Sequence, residues 1–187
     1  MDVRGACALY YQYEIHRNGK RIKKSRKRIS RSFVIAYARF LYLKFVRPAD
    51  QTITDTGSSS RTINSTSVLE VSWASGTSTV GVVVGTGTNA VALADTALQT
   101  QIAEGTGSGQ LSYGASVVNL PSSDSTSTSL ILTRVFSNAS GGTITIREIG
   151  VYARMISWNF CIIRDTTTIA LSDGDQLTLN YILKTTA

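Results

Sequence analysis

Residues 129–153 read SLILTRVFSNASGGTITIREIGVYA, two runs dense in Leu, Ile and Val, 129–137 and 143–153, parted by the turn-forming NASGG at 138–142. Short apolar or alternating runs bounded by Asn, Ser and Gly read as β-strands. Working outward, comparable runs stand at 68–73, 80–84 and 111–120 before this stretch and at 160–164 and 177–183 after it. Seven such runs, with Gly, Ser, Thr and Asn between them, fit an antiparallel sandwich or barrel; repeated βαβ units would need long helical crossovers. Only 95–102, with Asp95 as its cap, has a helical look. The expected fold is mainly β: a jelly-roll-like antiparallel β-sandwich over 68–187, preceded by a β-hairpin and one apolar helix.

The N-terminal part is read from its turn and its stop. Residues 8–17 are rich in Tyr and Ile, Asn18-Gly19 suits a type I′ turn, and 20–29 supplies the return strand. Ser30 or Ser32 is placed to cap a helix that Pro48 ends. Its aromatic and aliphatic residues, among them Phe33, Val34, Tyr37, Phe40, Leu41, Tyr42 and Phe45, cover most of the circumference. A helix apolar on nearly all sides must be buried, and a two-stranded hairpin cannot cover it. Its partners are therefore the C-terminal body or other copies of the chain, and Phe33, Tyr37, Phe40, Leu41 and Phe45 are the candidate assembly residues. The polar, low-complexity stretch after Pro48 reads as a linker or exposed loop. The expected organisation is a basic hairpin plus assembly helix over 1–47, a polar linker or loop over 48–67, and the sandwich over 68–187.

Charge divides the chain at the same place. The 187 residues carry a net charge of +7, but residues 1–47 hold 13 Lys and Arg against Asp2 and Glu14, a balance of +11. The remaining 140 residues sum to −4, and 43 of them are Ser or Thr. Seven cations crowd into nine positions: Lys20, Arg21, Lys23, Lys24, Arg26, Lys27 and Arg28. Such a strand can neutralise phosphates by counterion release, with Tyr10, Tyr11 and Tyr13 stacking on bases, or it can dock on an acidic protein surface. At 42% hydrophobic residues the chain can bury a core. Cys7 and Cys161 form neither a disulfide framework nor a zinc pattern, which suits a reducing interior. The longest apolar stretch, 33–46, is interrupted by Arg39 and is too short to span a bilayer, and its distance from Met1 does not suit a secretion signal.

Catalytic patterns are sparse. Gly85-Thr86-Gly87-Thr88-Asn89-Ala90 matches a G-x-G-x-x-A dinucleotide loop, with Glu104 near the place of an acidic ribose ligand. That motif needs a βαβ setting, whereas everything downstream reads as strands, so glycines turning the backbone are the simpler account. The single histidine, His16, lies in the cationic hairpin and assembles no triad. Asp173-Gly174-Asp175 is hairpin-turn chemistry without the ligand positions of a calcium loop. Arg147 and Glu148, adjacent in a strand, point to opposite faces, and with Asp165 they suit salt bridges better than an active site. No catalytic, metal or cofactor site is expected.

A resemblance joins these observations. The run VVVGTGT at 82–88 with DTAL at 95–98 resembles a signature of tailed-bacteriophage virion proteins. It is followed, as in that group, by a stretch ending in ITIREIGVY at residue 152, by Ile163-Arg164-Asp165 in the place of an ARD segment, and by a closing strand of the form L..GD.LTL.Y.L at 171–183. The resemblance implies a non-enzymatic structural virion protein, made in the host cytoplasm and homo-oligomeric. It would join or decorate tail, collar or head through its sandwich, with the basic N-terminal segment as anchor. Its implied partners are copies of itself, other virion proteins, and DNA or an acidic protein surface, with no membrane. Two alternatives are a nucleic-acid-binding virion protein that contacts the genome through the basic hairpin, and a receptor- or glycan-binding fibre module using Trp73 and Trp158.

Overall fold

A computed structural model describes residues 7–30, 32–48 and 50–186. Residues 1–6, Arg31 and Ala49, which belong to the expected 1–47 and 48–67 segments, lie outside the described residues, as does Ala187. Over the described residues the chain is mainly β, with three antiparallel sheets and one helix. In order the elements are β1 (Cys7–Arg17), β2 (Lys20–Lys24), β3 (Arg28–Ser30), α1 (Ile35–Val46), β4 (Gln51–Thr54), β5 (Ser60–Ile63), β6 (Gly81–Gly85), β7 (Ser112–Val118), β8 (Ser122–Ser123), β9 (Ser127–Ser137), β10 (Ile144–Met155), β11 (Trp158–Leu171) and β12 (Asp175–Thr186). The first sheet runs β2-β1-β12-β9-β7, with β3 also on β1 and β8 also on β9; the second runs β11-β10-β6, and β4 pairs with β5 alone.

The hairpin forms where Asn18-Gly19 puts it, both residues having positive φ (49° and 73°). The return strand is broken into β2 and β3. β1 pairs along its whole length with β12, from Cys7 opposite Thr185 to Arg17 opposite Asp175. The division at Pro48 is thus one of charge and not of packing, because the basic hairpin lies in the same sheet as the C-terminal strands. Strict alternation turns Leu9, Tyr11, Tyr13 and Ile15 inward. They share one core with Leu177, Leu179 and Phe136 of the first sheet and Ile146, Ile149 and Phe160 of the second.

The same alternation puts a cation in that core. On β9 the inward positions are Leu132, Arg134 and Phe136. The Arg134 guanidinium donates to the carbonyls of Gly114 (2.8 Å), Val80 (2.8 Å), Val82 (2.9 Å) and Thr77, and lies over the Tyr113 ring at 4.8 Å. It bonds β9 and β7 of the first sheet to β6 of the second. Burial lowers its pKa to about 10, so it remains charged at neutral pH.

Five expectations change. Ser30 and Ser32 do not cap α1: the N-cap is Val34, without a side-chain bond, and Ile35 N–H donates instead to Leu93 O (2.9 Å). Within one chain the helix is not buried on nearly all sides. Ala36, Phe40 and Leu43 face the body, whereas Ile35, Leu41, Tyr42, Phe45 and Val46 are exposed, because the body reaches only one side. The polar stretch holds the β4–β5 hairpin, in which Ile53 and Ile63 are buried. Its turn is built by Asp55, whose carboxylate accepts from Gly57 N–H (2.9 Å), Ser59 N–H (2.9 Å) and Arg61 Nε (2.6 Å). Finally, 95–102 is not helical, and 68–73 forms isolated bridges through Glu70 and Trp73 in place of a strand.

Candidate functional site: a buried ionic node and a basic sheet edge

The residues that carry the sequence motifs meet at one place. β10 lies between β6 and β11, so Glu148 sits opposite Gly85 on one side and Thr166 on the other. Glu148 is fully buried and Arg164 is 2% exposed. Glu148 Oε1 accepts from Thr100 N–H (2.7 Å) and Gly87 N–H (3.1 Å), and Oε2 accepts from Gln99 N–H (3.0 Å) and Arg164 Nε (3.0 Å). Arg164 Nη2 stands 2.9 Å from the same Oε2, while Nη1 reaches Asp95 Oδ2 at 2.7 Å. The guanidinium also donates to the carbonyls of Ala90 (3.3 Å) and Asn89 (3.2 Å). Burial works against the Arg164 charge, but Asp95 and Glu148 outweigh it and raise its pKa.

This geometry explains the glycines of the loop. A Cβ on Gly85 would lie 2.5 Å from Glu148 Oε1 and from Thr100 O, and one on Gly87 would lie 2.5 Å from Glu148 Oε1. The G-x-G spacing admits a carboxylate of the protein itself. Glu104 accepts from Tyr113 N–H (2.6 Å), so it is engaged within the fold and not free for a ribose. Asp95 is no helix cap; it bonds Ala92 N–H (2.8 Å) and Arg164. Chemically, the node holds the 86–90 and 95–100 loops against two strands.

Asp165, the next residue, points to a different set of partners. Its carboxylate accepts from Ser32 Oγ (2.6 Å), Ser30 Oγ (2.8 Å) and Tyr181 Oη (3.0 Å). Burial raises its pKa, and these hydroxyl bonds only partly offset that. The two serines join the β3–α1 connection to the core at this point.

The second candidate region is the basic edge, where all of β2 is exposed. Glu14 holds Lys24 (2.7 Å) and Arg21 (3.6 Å), and the Lys24 bond is the main reason its pKa is lowered. Lys23 lies over the Tyr13 ring at 5.7 Å, and Arg28 stands opposite Tyr11 in the sheet, the tyrosine raising its pKa. Lys20, Arg26 and Lys27 have no acidic partner among the described residues. Tyr11 and Tyr13 are buried and cannot stack on bases; only Tyr10 of the three faces outward. His16 lies 3.8 Å from Glu14 on the same outer face.

The remaining candidates are absorbed locally. Asp175 pairs with Arg17 (2.6 Å), and Asp173 accepts from Gly141 N–H (2.9 Å). Among the described residues no three His, Cys, Asp or Glu side chains are grouped to hold a metal. Trp73 is covered by Arg154 at 4.8 Å and Trp158 by Arg61 at 5.2 Å. Phe33 lies before α1, bridged to Ile163, and so is not a residue of the expected assembly helix; it stacks on Tyr37 (4.0 Å), and Phe40 meets Phe160 edge-on (5.4 Å), which leaves Leu41 and Phe45 as the assembly candidates facing solvent. The ionic node was hidden from sequence reasoning because its members are far apart in the chain; the charged pair Arg147-Glu148 inside an apolar strand was its one visible sign.

No protein family, no curated protein and no solved structure matches the chain.

Proposed function

We propose that the protein is a non-enzymatic structural component of a tailed-bacteriophage virion. In this reading it self-associates through α1 and joins or decorates tail, collar or head. The two larger sheets would form the layers of a jelly-roll-like sandwich, and the basic edge would be the anchor. The observation that carries the reading is the second apolar face of α1. Ile35, Leu41, Tyr42, Phe45 (79% exposed) and Val46 stand opposite the stripe that packs on the body. Monomeric surfaces rarely offer such a patch without a use. The charges on the same helix do not stand in the way of a like helix: Arg39 is turned to Thr52 O (2.8 Å) and Lys44 to Ser65 O (3.0 Å) and Ser67 O. A second copy of the chain, offering the same apolar face about a symmetry axis, fits it.

Removing residues 1–47 would take out β1, which pairs with β12, so surface substitutions are the better test. Light scattering after size exclusion is expected to show an oligomer for the full chain and a monomer for Leu41→Ser with Phe45→Ser. A full chain that stays monomeric at high concentration would overturn self-association.

A second reading is favoured by the cations of the basic edge that lack acidic partners. It makes that edge a contact for nucleic acid, with affinity falling steeply as salt rises.

A further inference from the structure

A cleft opens at the end of the basic segment, where the first sheet meets the second. Its volume is about 540 Å³, and it is lined by Arg28, Thr88, Arg147, Thr166, Thr167 and Thr168, with no carboxylate among them. Each side of it has a local cause. The β10–β11 register shifts between Ile146 and Glu148, so that Thr167 and Thr168 oppose the single residue Arg147. A bulge of this kind re-aims side chains. Glu148 is buried against Arg164, whereas Arg147, Thr166 and Thr168 are exposed. Thr88 comes from the pinned loop, its N–H held by Gln99 Oε1 (2.8 Å). Arg28 begins β3, opposite Tyr11, which raises its pKa.

Neither guanidinium has a carboxylate partner among the described residues, and Arg147 makes no hydrogen bond or ion pair there. Two arginines on the lining of one cleft, with threonine hydroxyls and no carboxylate, make it suited to an oxyanion. Guanidinium forks and hydroxyl donors suit the several oxygens of a phosphate. Arg28 is also the last of the seven cations from Lys20 onward, so the cleft continues the basic edge. We propose that this cleft seats one phosphate of a nucleic-acid strand whose further phosphates lie along the β1–β2 hairpin. The proposal rests on the nucleic-acid reading of the basic edge and adds Arg147, from the acidic body, as a contact.

The test is fluorescence anisotropy of a labelled oligothymidylate with the full chain, titrated at several salt concentrations. Arg147→Gln is expected to weaken binding about fivefold and to reduce the salt slope by about one, as the loss of one phosphate contact should. Arg147→Glu should weaken it further, and circular dichroism should show both variants folded, because Arg147 is exposed. Displacement of the oligonucleotide by millimolar inorganic phosphate in the wild type, but less readily in Arg147→Gln, supports the cleft. Salt-dependent binding that Arg147→Glu leaves unchanged overturns the cleft and keeps the nucleic-acid reading of the edge. No binding at low salt overturns both. If inorganic phosphate binds in an Arg147-dependent way and the oligonucleotide does not, the strand is overturned. An oligoglutamate of equal charge that competes as well as the oligonucleotide assigns the surface to an acidic protein and overturns the proposal.

Discussion

Glu148 and Arg164 face each other from neighbouring strands, both buried, with Arg164 Nη2 2.9 Å from Glu148 Oε2. Every acceptor direction of the Glu148 carboxylate is used by an N–H: three from backbone amides and the rest from the guanidinium. A Gln side chain has no room for its own two N–H donors at such a position. Glu148→Gln therefore loses the ion pair and turns a donor against donors. Breaking a buried pair from one side costs about 3–5 kcal/mol, a fall in Tm on the order of ten degrees for a chain of this size. Urea unfolding followed by circular dichroism measures it, and a loss below about 1 kcal/mol would show that the node is not what holds the two loops.

The glycine of the same loop gives an independent check. In Gly87→Ala the new methyl would meet Glu148 Oε1 at 2.5 Å and Gln99 Cβ at 2.6 Å, an overpacking that costs about 1–3 kcal/mol. Gly142→Ala is the matched control, since nothing lies within 4 Å of a Cβ there, and its effect should stay within about 0.5 kcal/mol. Equal stability of the two variants would contradict the close-approach account of the G-x-G spacing and return the loop to the search for a ligand.

Much of the fold can be read from period and turn residues. The alternation of 129–137 and the positive-φ pair Asn18-Gly19 specify strand and turn from neighbours in the chain, and β9 and the hairpin form accordingly. What pattern could not supply is partnership at long range. Ser30 and Ser32 look like helix caps because nothing nearby shows a buried Asp165, 135 and 133 residues further on. The 51–63 stretch looks like a linker because its two core residues, Ile53 and Ile63, are outnumbered by hydroxyls and glycines. The apolar circumference of α1 was legible, but how much of it one chain can cover depends on the reach of the body.

Arg134 gives a prediction that separates charge from packing. Among the described residues it has four carbonyl partners and no carboxylate partner. Arg134→Met fills a similar volume but leaves buried acceptors without donors, at about 1–3 kcal/mol for each one not satisfied elsewhere. The loss should fall first on β6, whose neighbouring carbonyls at Val80 and Val82 are held by Nη1. Hydrogen exchange by mass spectrometry is expected to show faster exchange over residues 81–85 in the variant, with little change in β1. Uniform acceleration across both sheets would mean that Arg134 supports global stability and is no local clamp.

Asp165 gives the pH dependence. Burial raises its pKa above the ordinary carboxylate value, against the pull of Ser32, Ser30 and Tyr181. Between the unfolded and the folded pKa the native state then binds the extra proton, so stability falls as pH rises through that window. Glu14, Asp55 and Asp175 have lowered pKa values and act in the opposite sense: their stabilisation is present above the unfolded carboxylate range and is lost as pH falls through their folded values. The wild-type profile mixes the two, and Asp165→Asn isolates the first. Because the amide cannot ionise, the stability of Asp165→Asn relative to wild type should increase as pH rises from about 4 to about 7, in urea unfolding at matched ionic strength. A relative stability that decreases over that range would mean that the three hydroxyls hold Asp165 as a carboxylate more strongly than burial resists it, which would reverse the sign of its contribution.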